Sequence, residues 1–299
     1  MNSFEDFNGL YEAVTYESRY QTPADKFKID TLPTELRAQV AEKYLIGEVA
    51  LRRDGTLCQS IHHDIYDMPC CVWKWPDELI LCDKRTEEEL PDIERPAFIP
   101  SLARTNQQMR GEVLVQMLKT TAMVTLKYYY RNTAKIAIWL PDFLRSFPDN
   151  EGFNAIKGLN LPHIHWYNHN QVVPAGTPNP DMELMLQLPK LCRLRLTFHW
   201  EKVNLRHCEE DVWEPITLEA FLDKFGLHRM LDCHGLEEIY IGGIFDPSAN
   251  VRGDPLKTLR DFGKWLREGF ARKTPKQDVV VLLFPRTGTF SGWTQGQAL

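Results

Sequence analysis

The residues best placed for chemistry are three histidines: His163-Ile164-His165, and His169 beyond Trp166-Tyr167-Asn168. On a strand, His163 and His165 point to the same face, and His169 falls near them at the same two-residue period. Imidazole nitrogens so spaced are the ligands a zinc site uses. A metal-dependent hydrolase is therefore the enzyme class this region admits. A zinc site takes roughly three or four protein ligands, each oriented by a further hydrogen bond. No H-E-x-x-H or C-x-x-C accompanies these residues. The plainer reading is preferred: histidines on a partly exposed strand end beside Pro162. No metal and no cofactor is expected.

Other nucleophile and phosphate motifs are similarly bare. Cys70-Cys71 and His207-Cys208 lack any surrounding signature of a catalytic cysteine, which needs a base and an orienting group. Gly242-Gly243 follows an apolar run, where a dinucleotide site places its glycines, but no G-x-G-x-x-G frame is present. Neither G-x-x-x-x-G-K-[ST] nor G-x-S-x-G occurs. The expectation is a protein that is not an enzyme.

Composition narrows the class further. The chain has 299 residues, enough for one large domain or two modest ones, and 43% hydrophobic residues to fill a core. A net charge of −6 and a pI near 5.9 disfavour general binding to phosphate backbones, so no nucleic acid is expected. Seven cysteines, an odd number at unrepeated spacings, read as free thiols in a reducing compartment. The opening Met1-Asn2-Ser3-Phe4-Glu5-Asp6 carries acids where a secretory signal carries apolar residues. No apolar run reaches the roughly 18 residues of a membrane span. A cytoplasmic or nuclear location and no membrane association are expected.

Several elements must position these residues. Pro33 suits the first turn of a helix capped by Asp30 or Thr31, and Glu35 complements its dipole. Leu32, Leu36, Val40 and Tyr44 recur every four residues, which predicts an amphipathic helix ending near Gly47. Residues 48–98 read as β-rich. Alternation runs through Glu48-Val49-Ala50-Leu51-Arg52, Asp54-Gly55 signals a hairpin, and Cys71 to Trp75 and Leu79 to Cys82 look like strands. Glu87-Glu88-Glu89 with Pro91, Pro96 and Pro100 suggests an exposed loop. A helix is expected after Ser101, with Leu102, Met109, Val113 and Met117 on its apolar side. Strands are expected at Met123–Leu126 and Lys135–Trp139.

The C-terminal half shows a recurrence. Ile156-x-x-Leu159-x-Leu161, Leu191-x-x-Leu194-x-Leu196 and Leu236-x-x-Ile239-x-Ile241 share one pattern, and Val279–Phe284 follows as a fourth strand. Helical stretches precede them at Asp142–Phe147, Met182–Leu188, Leu218–Met230 and Leu256–Phe270. Such helix–strand units stack because none buries its own core, as in a degenerate leucine-rich-repeat-like array. An ordinary α/β sheet reads the same way. Both imply α/β architecture with successive strands mostly parallel. The aromatic groups Tyr128-Tyr129-Tyr130-Arg131 and His199-Trp200-Glu201-Lys202 are candidates for interface contacts.

Two stretches carry a resemblance. Leu32-Pro33-Thr34-Glu35-Leu36-Arg37 resembles the L-P-x-E-L-R opening of the fungal F-box-like family. Ser101 to Glu112, with Gln107, Gln108, Arg110 and Glu112, is similar to its second motif, close to L-L-x-x-C-R-Q-I-R-x-E. Trp139-Leu140 to Leu161 is similar to the W-L…F segment that often follows. The chain departs from the pattern at Thr105-Asn106, where the family has Cys-Arg, and some 50 residues separate the two motifs.

The resemblance implies a two-part receptor. F-box-like helices would dock on the Skp adaptor of an SCF-type ubiquitin ligase through Leu32, Pro33, Leu36 and Val40, and the C-terminal part would hold an unknown target protein. The expected organisation is an arm at 1–26, an F-box-like helical region at 27–122 interrupted by a β-rich insertion (about 48–98), and an α/β helix–strand array at 123–299. The expected function is non-catalytic protein binding. An interaction scaffold of the same fold that never meets the adaptor is the alternative, and a hydrolase using His163, His165 and His169 is a further one.

Overall fold

Short apolar runs separated by prolines, glycines and capping residues fold here into alternating helices and strands. The computed structural model describes residues 32–53, 71–74, 78–82, 101–104, 107–127, 135–162, 164, 178–207, 209, 211–245, 249–273, 279–287 and 297–298. Along the chain these form α1 (Thr34–Arg53), β1 (Cys71–Lys74), β2 (Glu78–Cys82), α2 (Gln107–Thr120) and β3 (Val124–Lys127). Then come α3 (Lys135–Arg145), α4 (Glu151–Ala155), β4 (Gly158–Leu161), α5 (Pro180–Leu186), β5 (Arg193–His199) and α6 (Trp200–Val203). The remainder is β6 (Asn204–His207), β7 (Val212–Pro215), α7 (Leu218–Phe225), β8 (Glu238–Phe245), α8 (Lys257–Lys273), β9 (Val280–Thr287) and β10 (Gln297–Ala298).

The architecture is mixed α/β. One eight-stranded sheet has the order β1-β2-β3-β4-β5-β8-β9-β10. Its six inner strands, β2 to β9 in that order, are parallel, while β1 and β10 close the two edges antiparallel. β6 and β7 pair separately as a two-stranded sheet. The recurring motifs become neighbouring strands in register. Leu79, Val124, Leu159, Leu194, Ile239 and Val281 lie in one row across the sheet, each at most 3% exposed.

Strand order follows chain order among the described parallel strands. Right-handed crossovers in such a sheet place every connecting helix on the same face. The contacts agree: Phe198 of β5 packs against Phe221 and Phe225 of α7 and Phe262 of α8. A Cβ on Gly243 of β8 would lie 2.8 Å from Leu256, just ahead of α8, and 2.9 Å from Leu259 in α8. Leu194, Leu196, Ile239 and Ile241 share one core with these helices. The order never reverses among these strands, so they lack the switch-point crevice where doubly wound sheets bind dinucleotides.

Three expectations need correction. Residues 48–53, read as the start of a β-rich insertion, continue α1 past Gly47 to Arg53. Alternation over five residues with a helix already under way is too short to break its hydrogen bonding. The strands expected at Cys71–Trp75 and Leu79–Cys82 do form, as β1 and β2, but they belong to the main sheet, with β2 paired to β3. Residues 135–139, read as a strand from their β-branched and aromatic run, open α3. Trp139, Leu140, Phe143, Leu144 and Phe147 are all buried, at helical spacing. Trp139 stacks on Phe143 at 5.0 Å, and Phe143 meets Phe147 edge-on at 5.2 Å. Tertiary packing overrides local propensity here, even with Pro141 inside the helix.

The β6–β7 hairpin had no counterpart in the sequence reading, because its two four-residue strands are polar and short. The arm at 1–26, Asp54-Gly55, Glu87–Glu89, the prolines at 91, 96 and 100, Tyr128–Arg131, and His163, His165 and His169 all lie outside the described residues.

Candidate functional site

Two surfaces collect the chemistry-bearing side chains. The first is built by α1 and α2. Thr34 opens α1, and the carbonyl of Pro33 accepts the first helical hydrogen bond, from Arg37 N at 3.0 Å. Pro33 thus stands just ahead of the first turn, where its missing N–H is harmless. Arg37, Ala41 and Leu45 follow at four-residue intervals and form the inward row, with Ala41 and Leu45 fully buried. Across from them α2 buries Met109, Val113 and Met117.

Arg37 ties this corner together. Its Nε donates to both carboxylate oxygens of Glu112, at 2.9 and 2.7 Å, and its Nη2 lies 2.7 Å from Oε1. The same guanidinium donates to the carbonyl of Leu32 and, at 3.1 Å, to Thr34 Oγ1. Gln108 adds a hydrogen bond to Glu112 at 3.2 Å. These contacts, led by the Arg37 hydrogen bond, hold the Glu112 carboxyl below its ordinary range against the opposing effect of burial. Arg37 belongs to the first resemblance motif and Glu112 to the second, 75 residues later. The two motifs are therefore in contact, despite the chain between them.

The four residues expected to dock sit one row to the side of this inward row. Leu36 is 44% exposed, Pro33 is exposed, and Leu32 and Val40 are half-buried. Successive helical residues are rotated by about 100°, so the Leu36–Val40–Tyr44 stripe flanks the core row without entering it.

The pH dependence of the Arg37–Glu112 pair has a definite sign. A carboxyl held low in the folded chain contributes its full stability above the ordinary carboxylate range, and loses it as pH falls through the folded pKa. Glu112→Gln should destabilise the chain by about 2 kcal/mol at neutral pH, and by progressively less as pH drops below about 4. Urea melts of both proteins across pH 3 to 7 measure this. A constant difference over that range would show that the ion pair is not formed.

The second group lies on the sheet face opposite α7 and α8. It carries the middle residue of each L-x-L. Thr125, Asn160, Arg195 and Tyr240 occupy consecutive strands in register, with Arg193 and Glu238 one row below the last two. Thr125 donates to the carboxylate of Glu78 and accepts from Asn160 Nδ2 at 3.0 Å. Tyr240 donates to Glu238 Oε2 at 2.9 Å, and the Arg195 guanidinium lies 5.4 Å from the Tyr240 ring centre. Burial first, then the Glu238 carboxylate, push the Tyr240 phenol up, so it remains a neutral donor. Sequence reading missed this row by treating the x positions as spacers. The signal was there in Thr125, Asn160, Arg195 and Tyr240, each flanked by apolar residues.

Other reactive groups among the described residues sit in packing or surface settings. Burial pushes the Cys233 thiol up to about 12, which leaves it protonated and poorly nucleophilic. Trp200 is buried and packs edge-on against Trp213 at 4.6 Å, so this member of the His199–Lys202 group serves internal packing. Among the described residues, Glu219, Asp223 and His228 bring three possible metal ligands within 4.8 Å of one another. All three are exposed, and His228 Nε2 already meets Asp223 Oδ1 at 2.7 Å, an ordinary surface hydrogen bond. No helix among the described residues is long and apolar enough to cross a membrane.

No family model, no curated protein and no solved structure matches the chain.

Proposed function

We propose that the chain is a non-catalytic protein-binding receptor. It docks on an adaptor of the Skp type through the outer face of α1, and holds a target protein on a leucine-rich-repeat-like helix–strand array. The observation that carries this reading is the Arg37–Glu112 ion pair, which joins the two stretches resembling an F-box. With Arg37, Ala41 and Leu45 turned inward, Leu36 is left exposed beside half-buried Leu32 and Val40. Apolar anchors at i and i+4 on an accessible helix face are what a helix-in-groove contact uses. The in-register row of the array supports the second half of the reading. Stacked units of this kind form extended surfaces suited to holding another chain. The protein positions its target while partner subunits perform the chemistry.

Binding of the purified chain to the Skp adaptor tests the docking half, beside a Leu36→Asp variant. Leu36 is already solvent-facing, so the charge leaves the thermal midpoint within about 2 °C of the parent. The expected result is saturable micromolar binding by the parent, and at least tenfold weaker binding by the folded variant. A well-folded parent that does not bind would remove the adaptor from the proposal. The chain would then be an interaction scaffold of the same fold.

A further inference from the structure

We draw no further inference here: the strongest candidate, the surface cluster of Glu219, Asp223 and His228 on α7 and the turn that follows it, is three exposed side chains, and nothing among the described residues beyond the cluster itself points to a ligand.

Discussion

Phe198→Ala should lower the folding free energy by about 4 kcal/mol. Phe198 is fully buried at the junction of strand β5 with helices α7 and α8. Its ring meets Phe221 at 5.0 Å, Phe225 at 5.5 Å and Phe262 at 6.3 Å, all edge-on or nearly so. Phe221 also touches both Phe225 and Phe262 at 5.1 Å, so the four rings form one closed group. Alanine removes the central ring and leaves a cavity between a sheet and two helices that are each held by other contacts. Collapse into it is therefore limited, which places the loss in the upper part of the usual range. Edge-on ring contacts add about 0.5–1.5 kcal/mol beyond the area they bury. Phe198→Leu keeps most of the volume and should lose about half as much. Urea unfolding at unchanged slope gives both numbers. An alanine loss below about 1.5 kcal/mol would mean that α7 and α8 do not pack on β5 as described.

The strands that carry this core were the most legible part of the sequence. Leu194-x-Leu196 and Ile239-x-Ile241 repeat the two-residue period that a half-buried strand requires, and they pair side by side with matching positions aligned. Other features depend on partners far away in the chain, and no local period reports them. Trp139 lies in an apolar run that reads equally as strand or helix. It becomes helical because Phe143 and Phe147 complete one buried stripe with it. Arg37 and Glu112 were both inside the resemblance motifs, but their contact spans 75 residues. The stripe Leu32–Leu36–Val40, expected to dock, lies one row away from the core. Leucine at four-residue spacing does not say which of two adjacent rows the partner helix will cover. Here the choice fell on Arg37, Ala41 and Leu45, because Glu112 waits across from Arg37.

The sheet-face row illustrates the same division. Thr125, Asn160, Arg195 and Tyr240 are unremarkable one at a time. They become a row only when their strands align, and the apolar residues on either side set that alignment. The core pattern thus positions the polar face without any polar residue taking part in specifying it. Substitutions at Arg193 or Arg195 should accordingly leave the fold intact, whereas changes to strand spacing should damage it.

Gly158→Ala is the change that tests strand spacing most directly, and it should destabilise the chain by about 3 kcal/mol. Gly158 opens β4, and a methyl group on it would overlap the carbonyl oxygen of Ala122 and approach Met123 Sδ to 3.2 Å. The obstacle is backbone, so no side-chain rotation removes it. Relief requires β4 to shift relative to the segment leading into β3. That shift disturbs the pairing of Leu159 with Val124 on one side and with Leu194 on the other. The first two members of the polar row, Thr125 and Asn160, would move apart with them, so the loss of stability and the loss of the polar face are coupled. Gly111→Ala is the matched control. Nothing lies within 4 Å of a Cβ there, and the residue sits inside α2, so alanine should stabilise by about 1 kcal/mol through helix propensity. Thermal melts of the two variants should therefore move in opposite directions. Similar shifts would show that the close approach of β4 to Ala122 is not a feature of the folded chain.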